Sequence, residues 1–151
     1  MKRHLINLFS PDFNNDEIKA AITTLQSGFW ASGSGTNKVL EFETKFKKFI
    51  GARDCVAVDS GTAALHLALS MNNLKNKEVL VPSFTFVSTV NAILYNGGKP
   101  VFVDIDPLTL NMDINDLENK ITKNTSLILP VYYGGLHASV KQIQKLSKNN
   151  N

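Results

Sequence analysis

"EVLVPSFTFVSTVNAILYNGGKPVFVDI", residues 78–105, decides the fold class. A short apolar run (VLV, 79–81) passes through Pro82 into a stretch of helical character over about 85–95. A second run, VFVDI, follows at 101–105. Both runs are rich in branched residues and do not alternate with polar ones, as expected of strands covered on both faces. Strand, helix and strand in that order indicate an α/β architecture with parallel pairing.

The pattern extends in both directions. Runs of the same kind stand at 55–58 (CVAV) and 127–131 (LILPV), with helical stretches expected over 61–72, 114–121 and 138–147. Strand and helix therefore alternate four times, predicting a mostly parallel sheet with flanking helices. Four strands of buried composition leave at least one edge in need of a neighbour.

Ahead of Gly51 the reading is helical. Asp12 or Asn15 can cap a helix that runs to about Gln26, with Ile18, Ala21, Ile22 and Leu25 on one face and Gly28 closing it. The loop FWASGSGTN (29–37) leads to a second amphipathic helix from Lys38 to Ile50, carrying Phe42, Phe46, Phe49 and Ile50. The expected organisation is thus N-terminal helices and loop over 1–51, βα units over 52–148, and a frayed tail at 149–151.

The chain has 151 residues, enough for one domain with a real core. Its net charge of +3 comes from scattered lysines, and arginine occurs only at Arg3 and Arg53. Without a basic patch, nucleic acid is not an expected partner. No run approaches the roughly 18 to 20 apolar residues of a membrane span, and the N-terminus turns polar at Asp12 too early for a cleaved signal. The single cysteine, Cys55, provides neither a disulfide framework nor a metal cluster, which fits a reducing, cytoplasmic setting.

Ser60-Gly61-Thr62-Ala63 forms a polar corner between the run at 55–58 and an apolar helix. In open parallel sheets ligands gather where strands end and helices begin. The N–H groups of Gly61, Thr62 and Ala63 could hold a phosphate there, with the hydroxyls of Ser60 and Thr62 adding donors. Taken alone, the tetrapeptide is better read as an ordinary helix cap, and it matches neither a P-loop nor a dinucleotide fingerprint. Phe84 and Phe86 follow the next strand; either could stack on a flat ring, though Phe84 is better assigned to the core. Asp104 and Asp106 could orient a ligand, but a turn at Pro107 accounts for them more simply. Tyr132, Tyr133 and His137, around Gly134-Gly135, are polar-tipped candidates to line a pocket.

Three stretches together carry a family resemblance: "WASGSGTNKVLEFETKFKKFIGARDCVAVDSGTAALHLAL", the run from Glu78 to Asp113, and "LILPVYYGG". In order and with natural spacing, from about Ile6 to Leu136, they resemble the N-terminal half of the DegT/DnrJ/StrS family of pyridoxal phosphate (PLP)-dependent nucleotide-sugar aminotransferases. The resemblance implies part of the large domain of fold-type I PLP enzymes. It implies that Ser60, Gly61, Thr62 and Ala63 hold the cofactor phosphate and that Phe86 stacks on the pyridine ring. Trp30, Ser32 and Gly33 would belong to a substrate-side loop.

The implied reaction transfers an amino group, from glutamate in this family, to a nucleotide-linked keto sugar by way of the pyridoxamine form of the cofactor. The product would enter polysaccharide, glycan or secondary-metabolite synthesis. Homodimers with sites at the subunit interface are typical. The family's Schiff-base lysine and its aspartate at the pyridine nitrogen lie on later segments than any here, so no catalytic residue is assigned and no metal is expected. Ser34 to Lys38 imitates the lysine's spacing but falls in the entrance loop. The family commonly has His where Tyr132 stands, Pro near His137 and an acidic residue near Ser139. These departures lead to the expectation of a truncated chain, inactive alone. The alternatives are a non-catalytic remnant or regulatory module of the same fold, or a PLP-dependent sugar dehydrase.

Overall fold

The structure, a computed structural model, describes residues 7, 9–30, 38–137 and 139–149. It divides into two compact units, one ending at Ala57 and one beginning at Val58.

The first unit holds helices α1 (Asn15–Ser27) and α2 (Lys38–Ile50). Helix α1 starts with a capping box. The Asn14 side chain accepts from Asp16 N–H at 2.7 Å, and Asn14 N–H donates to the Glu17 carboxylate at 2.7 Å. The cap is thus Asn14, one residue ahead of the expected Asn15, because only there does Glu17 fall at the third helical position. Gly28 closes the helix with a left-handed φ of 72°. On α2, Glu41 accepts from Lys45 at 2.7 Å and from Lys38 at 2.9 Å, which holds its carboxyl down to about 2 from the ordinary 4.5. Lys38 is therefore engaged in a helix-surface ion pair. Neither helix buries a residue.

Residues 55–58 do not form the expected strand. No strand lies beside them among the described residues, and a strand exists only as one side of a ladder. Their backbone turns to side chains instead: Cys55 N–H donates to Asp54 and Ala57 N–H to the Glu43 carboxylate at 2.8 Å. Val56 is 69% exposed.

The second unit is a three-layer α/β arrangement. In chain order it contains α3 (Gly61–Ser70), β1 (Glu78–Pro82), α4 (Val87–Tyr95), β2 (Lys99–Val103), α5 (Ile114–Lys120), β3 (Thr125–Ile128), a 3-10 turn (Tyr133–Gly135) and α6 (Val140–Asn149). The sheet order is β2-β1-β3, all parallel. Alternation along β1 divides the core in two. Val79 and Val81 pack with Leu69, Leu74, Ala92 and Ile93 beneath α3 and α4. Leu80, on the other face, packs with Val103, Met112, Leu117 and Ile143 beneath α5 and α6.

Three boundaries moved. Strand β2 ends at Val103 rather than 105, because Asp116 captures the Asp104 N–H at 2.6 Å and Ile105 leaves to bridge Met112. Strand β3 begins at Thr125, where Glu78 pairs with it, and the ladder closes with Leu129 N–H on Leu80 C=O just before Pro130, which has no N–H to give. Helix α6 runs from Val140 to Asn149 rather than over 138–147, while residues 150 and 151 of the expected tail lie outside the described ones.

Asp116 joins α5 to the end of β2. It accepts from Asp104 N–H and, at 2.7 Å, from Lys120, which itself donates to Phe102 C=O. The Asp104 N–H first, and Lys120 second, hold its carboxyl below the ordinary 3.8. A depressed folded-state value stabilises the fold above the unfolded value and loses that contribution as pH falls through the folded one. Thermal melts of the chain should therefore be level above pH 5 or so and decline below about 3.8. In Asp116→Asn the acid decline should be shallower. An identical acid profile in that variant would rule the contact out as its source.

Candidate active site

Sequence and fold meet at the start of α3. Ser60 is the N-cap: its backbone is extended, its hydroxyl accepts from Ala63 N–H at 3.2 Å and its carbonyl accepts from Ala64 N–H. The Ser60 hydroxyl in turn donates to Asp59 at 3.3 Å. The cap reading of this corner is thus correct as far as it goes, and it takes the Ala63 N–H. The N–H groups of Gly61 and Thr62 find no partner among the described residues, at the positive end of the helix dipole.

Gly61 has an ordinary helical backbone, and nothing in the chain comes within 4 Å of where a Cβ would stand. Neither conformation nor internal packing therefore requires glycine at this position. A demand for bare backbone has to come from outside the chain, as when an anion approaches the N–H groups closely.

Helix α4 begins beside this corner with Phe86 as its N-cap residue, 74% exposed and without a side-chain cap bond. Gly61, Thr62, Ala64, Leu65 and Ala68 of α3, with Phe86, Ser88 and Thr89 at the start of α4, line one broad, open recess. An anion-ready helix end and an exposed aromatic face thus share one surface. Ser60 and Ala63, hydrogen-bonded to each other, are not among its lining residues.

The other candidates fall elsewhere. Phe84 is not core: it is 42% exposed, and its ring packs at a tilt against Tyr133 with centroids 4.7 Å apart. It stays out because Thr85 and Thr89, joined hydroxyl to hydroxyl at 2.9 Å, take up the inward side of the turn. Asp106 caps its own turn, accepting from Leu108 and Thr109 N–H at 2.8 and 2.9 Å. These two backbone donors, Thr109 first, lower its carboxyl below the ordinary 3.8. Tyr132 packs edge-on against His137. His137 lines a second, polar recess with Asp106, Asn111 and Asp113; none of Tyr132, Tyr133 and His137 lines the first. In the first unit, the Trp30 indole donates to Leu25 C=O at 3.1 Å. Ser32 and Gly33 lie outside the described residues.

One residue escaped the sequence reading altogether. Asn111, 4% exposed, bonds through its side chain to the backbone of both Tyr133 and Leu136. Nothing in the local pattern marks it, since a polar residue in a turn is ordinarily solvated.

The model of the DegT/DnrJ/EryC1/StrS aminotransferase family matches residues 11–151. The chain belongs to that family. As a DegT/DnrJ/EryC1/StrS member, it is 38% identical over 149 residues to the spore coat polysaccharide biosynthesis protein SpsC of Bacillus subtilis, covering 98% of this chain and 38% of SpsC. It is 36% identical to the GDP-perosamine synthase of Escherichia coli O157:H7, covering 97% of this chain and 40% of that one. Among solved structures, the PLP form of the sugar aminotransferase Spr1654 from Streptococcus pneumoniae superposes with a TM-score of 0.84 at 32% identity, covering 93% of this chain and 36% of that one. The chain thus spans about two-fifths of the length of these relatives.

Proposed function

We propose that this chain supplies the phosphate seat and the ring-stacking face of a PLP-dependent aminotransferase. That enzyme would move an amino group, from glutamate as donor, to a nucleotide-linked keto sugar in the cytoplasm, as a homodimer. Family membership, the activities for which the relatives are named and the PLP form of a solved relative support the reading. The observation that carries it is the shared recess, lined both by Gly61 and Thr62, whose N–H groups have no partner among the described residues, and by the exposed Phe86.

In this reading the Gly61 and Thr62 N–H groups and the Thr62 hydroxyl donate to the phosphate, and the α3 dipole favours its charge. Ser60 holds the helix start in shape through the Ala63 N–H. Phe86 offers a flat face that orients a ring and keeps water from one side of it. Trp30, Ser32 and Gly33 are proposed to face the substrate. When bound, PLP supplies the electron sink for amino transfer. Among the described residues, no lysine lines the recess.

Equilibrium dialysis of the 151-residue chain against PLP tests this. Inorganic phosphate should compete, pyridoxal without its phosphate should bind far more weakly, and borohydride should leave no single lysine stoichiometrically labelled. PLP uptake indifferent to phosphate, or one fully labelled lysine, would contradict the assignment.

A further inference from the structure

Asn111 sits at a corner built at some cost. Leu110, just before it, has a left-handed φ of 59°, a conformation unfavourable for a residue with a Cβ. Such outliers persist where their surroundings over-determine them and where the resulting direction is used. The corner is tied at its base, with Leu110 N–H on Asp106 C=O at 2.8 Å and Asp106 N–H on Asn111 C=O at 2.9 Å. What the turn achieves is to send the Asn111 side chain inward.

There both ends of its amide are used. Nδ2 donates to Leu136 C=O at 3.3 Å, and Oδ1 accepts from Tyr133 N–H at 3.1 Å. A short side chain with one donor and one acceptor is what this gap requires: Asp lacks the neutral donor and Leu lacks both. The two bonds fix a loop whose Gly134 and Gly135 have φ values of 60° and 80° and impose little order of their own.

The loop is not isolated. The Tyr133 ring lies on Phe84, 4.7 Å between centroids and 35° between planes. From Phe84 the chain runs two residues to Phe86. The segment is pinned behind by the Thr85–Thr89 hydroxyl bond and by Thr89 N–H on Phe86 C=O at 3.0 Å.

We propose that Asn111 is a positioning residue for the aromatic face of the cofactor recess, holding Tyr133, which braces Phe84 and so sets where Phe86 stands. The proposal rests on the function proposed above for that recess. It assigns Asn111 no contact with the cofactor.

The test uses the 151-residue chain, with amide hydrogen exchange followed by NMR in wild type, Asn111→Leu and Asn111→Asp. In Asn111→Leu, exchange at Tyr133 and Thr89 should accelerate about tenfold, the scale of one buried hydrogen bond, while Leu80 and Val81 in the central strand keep their rates. Asn111→Asp, which retains an acceptor for the Tyr133 N–H but sets a carboxylate against the Leu136 C=O, should restore only part of the protection, at Tyr133 more than elsewhere. Affinity supplies a second readout that simple destabilisation would not divide: Asn111→Leu should weaken PLP binding about tenfold and leave inorganic phosphate binding unchanged. Acceleration at Tyr133 with Thr89 unmoved, acceleration of all amides together, or equal losses for PLP and phosphate would each overturn the proposal. A wild-type chain that binds neither ligand would instead refute the function proposed for the recess, and the exchange rates alone would then decide whether Asn111 positions the Phe84–Phe86 segment.

Discussion

Leu80→Ala is expected to destabilise the second unit by about 3–5 kcal/mol, the upper range for a fully buried leucine. Leu80 is 0% exposed in the central strand, with β2 on one side and β3 on the other. Its side chain packs in one cluster with Val103, Met112, Leu117 and Ile143. Truncation removes apolar burial and leaves a cavity among strand residues that cannot close it, because the ladder fixes their spacing. A small domain has only about 5–15 kcal/mol in all, so the loss should take a large share of the stability and lower the urea midpoint markedly. The control is Leu108→Ala. Leu108 is 92% exposed, and its loss should stay within about 0.5 kcal/mol. Urea titration by circular dichroism separates the two, and equal midpoints would contradict the two-sided core.

Gly61→Asp is expected to abolish phosphate recognition without harming the fold. Nothing lies within 4 Å of a Cβ at Gly61, so the side chain is admitted sterically. An acidic residue in a first helical turn is worth roughly 0.3–1 kcal/mol through the dipole, so α3 should gain slightly. The same carboxylate would stand against a phosphate dianion. Two like-charge interactions at an effective dielectric near 20 amount to about 3 kcal/mol or more, a hundredfold or greater loss of affinity. Folding and binding thus move in opposite directions, which a merely structural role for the corner would not produce. Thermal melts and PLP dialysis on the same sample measure both, and undiminished binding in the variant would remove Gly61 from the site.

The parts legible in the sequence are those that depend on near neighbours. The Lys38–Ile50 helix, the closure of α1 at Gly28 and the Glu78–Val103 crossover announce themselves through period and punctuation, whereas the exact cap of α1 does not. The helix start at Ser60 was legible as a cap, because a serine ahead of an apolar helical stretch can offer its hydroxyl to a first-turn N–H. Residues 55–58 have strand composition without strand structure, because composition specifies an apolar, extended segment while the ladder requires a neighbour found nowhere among the described residues. Phe84 was misassigned because its apolar character gave no hint that Thr85 and Thr89 fill the inward side. Asn111 was missed because its role depends on the left-handed turn at Leu110 and on partners 22 and 25 positions away. No local pattern encodes either.

The most direct test of the central claim, that the α3 start is a cofactor-phosphate seat, is an amide NMR titration of the 151-residue chain with PLP and, separately, with pyridoxal. The account predicts that PLP shifts the Gly61 and Thr62 amides first and furthest, that Phe86 follows, and that pyridoxal at equal concentration leaves Gly61 and Thr62 in place. Equal shifts with both compounds, or PLP-induced shifts that leave Gly61 and Thr62 unmoved, would contradict it.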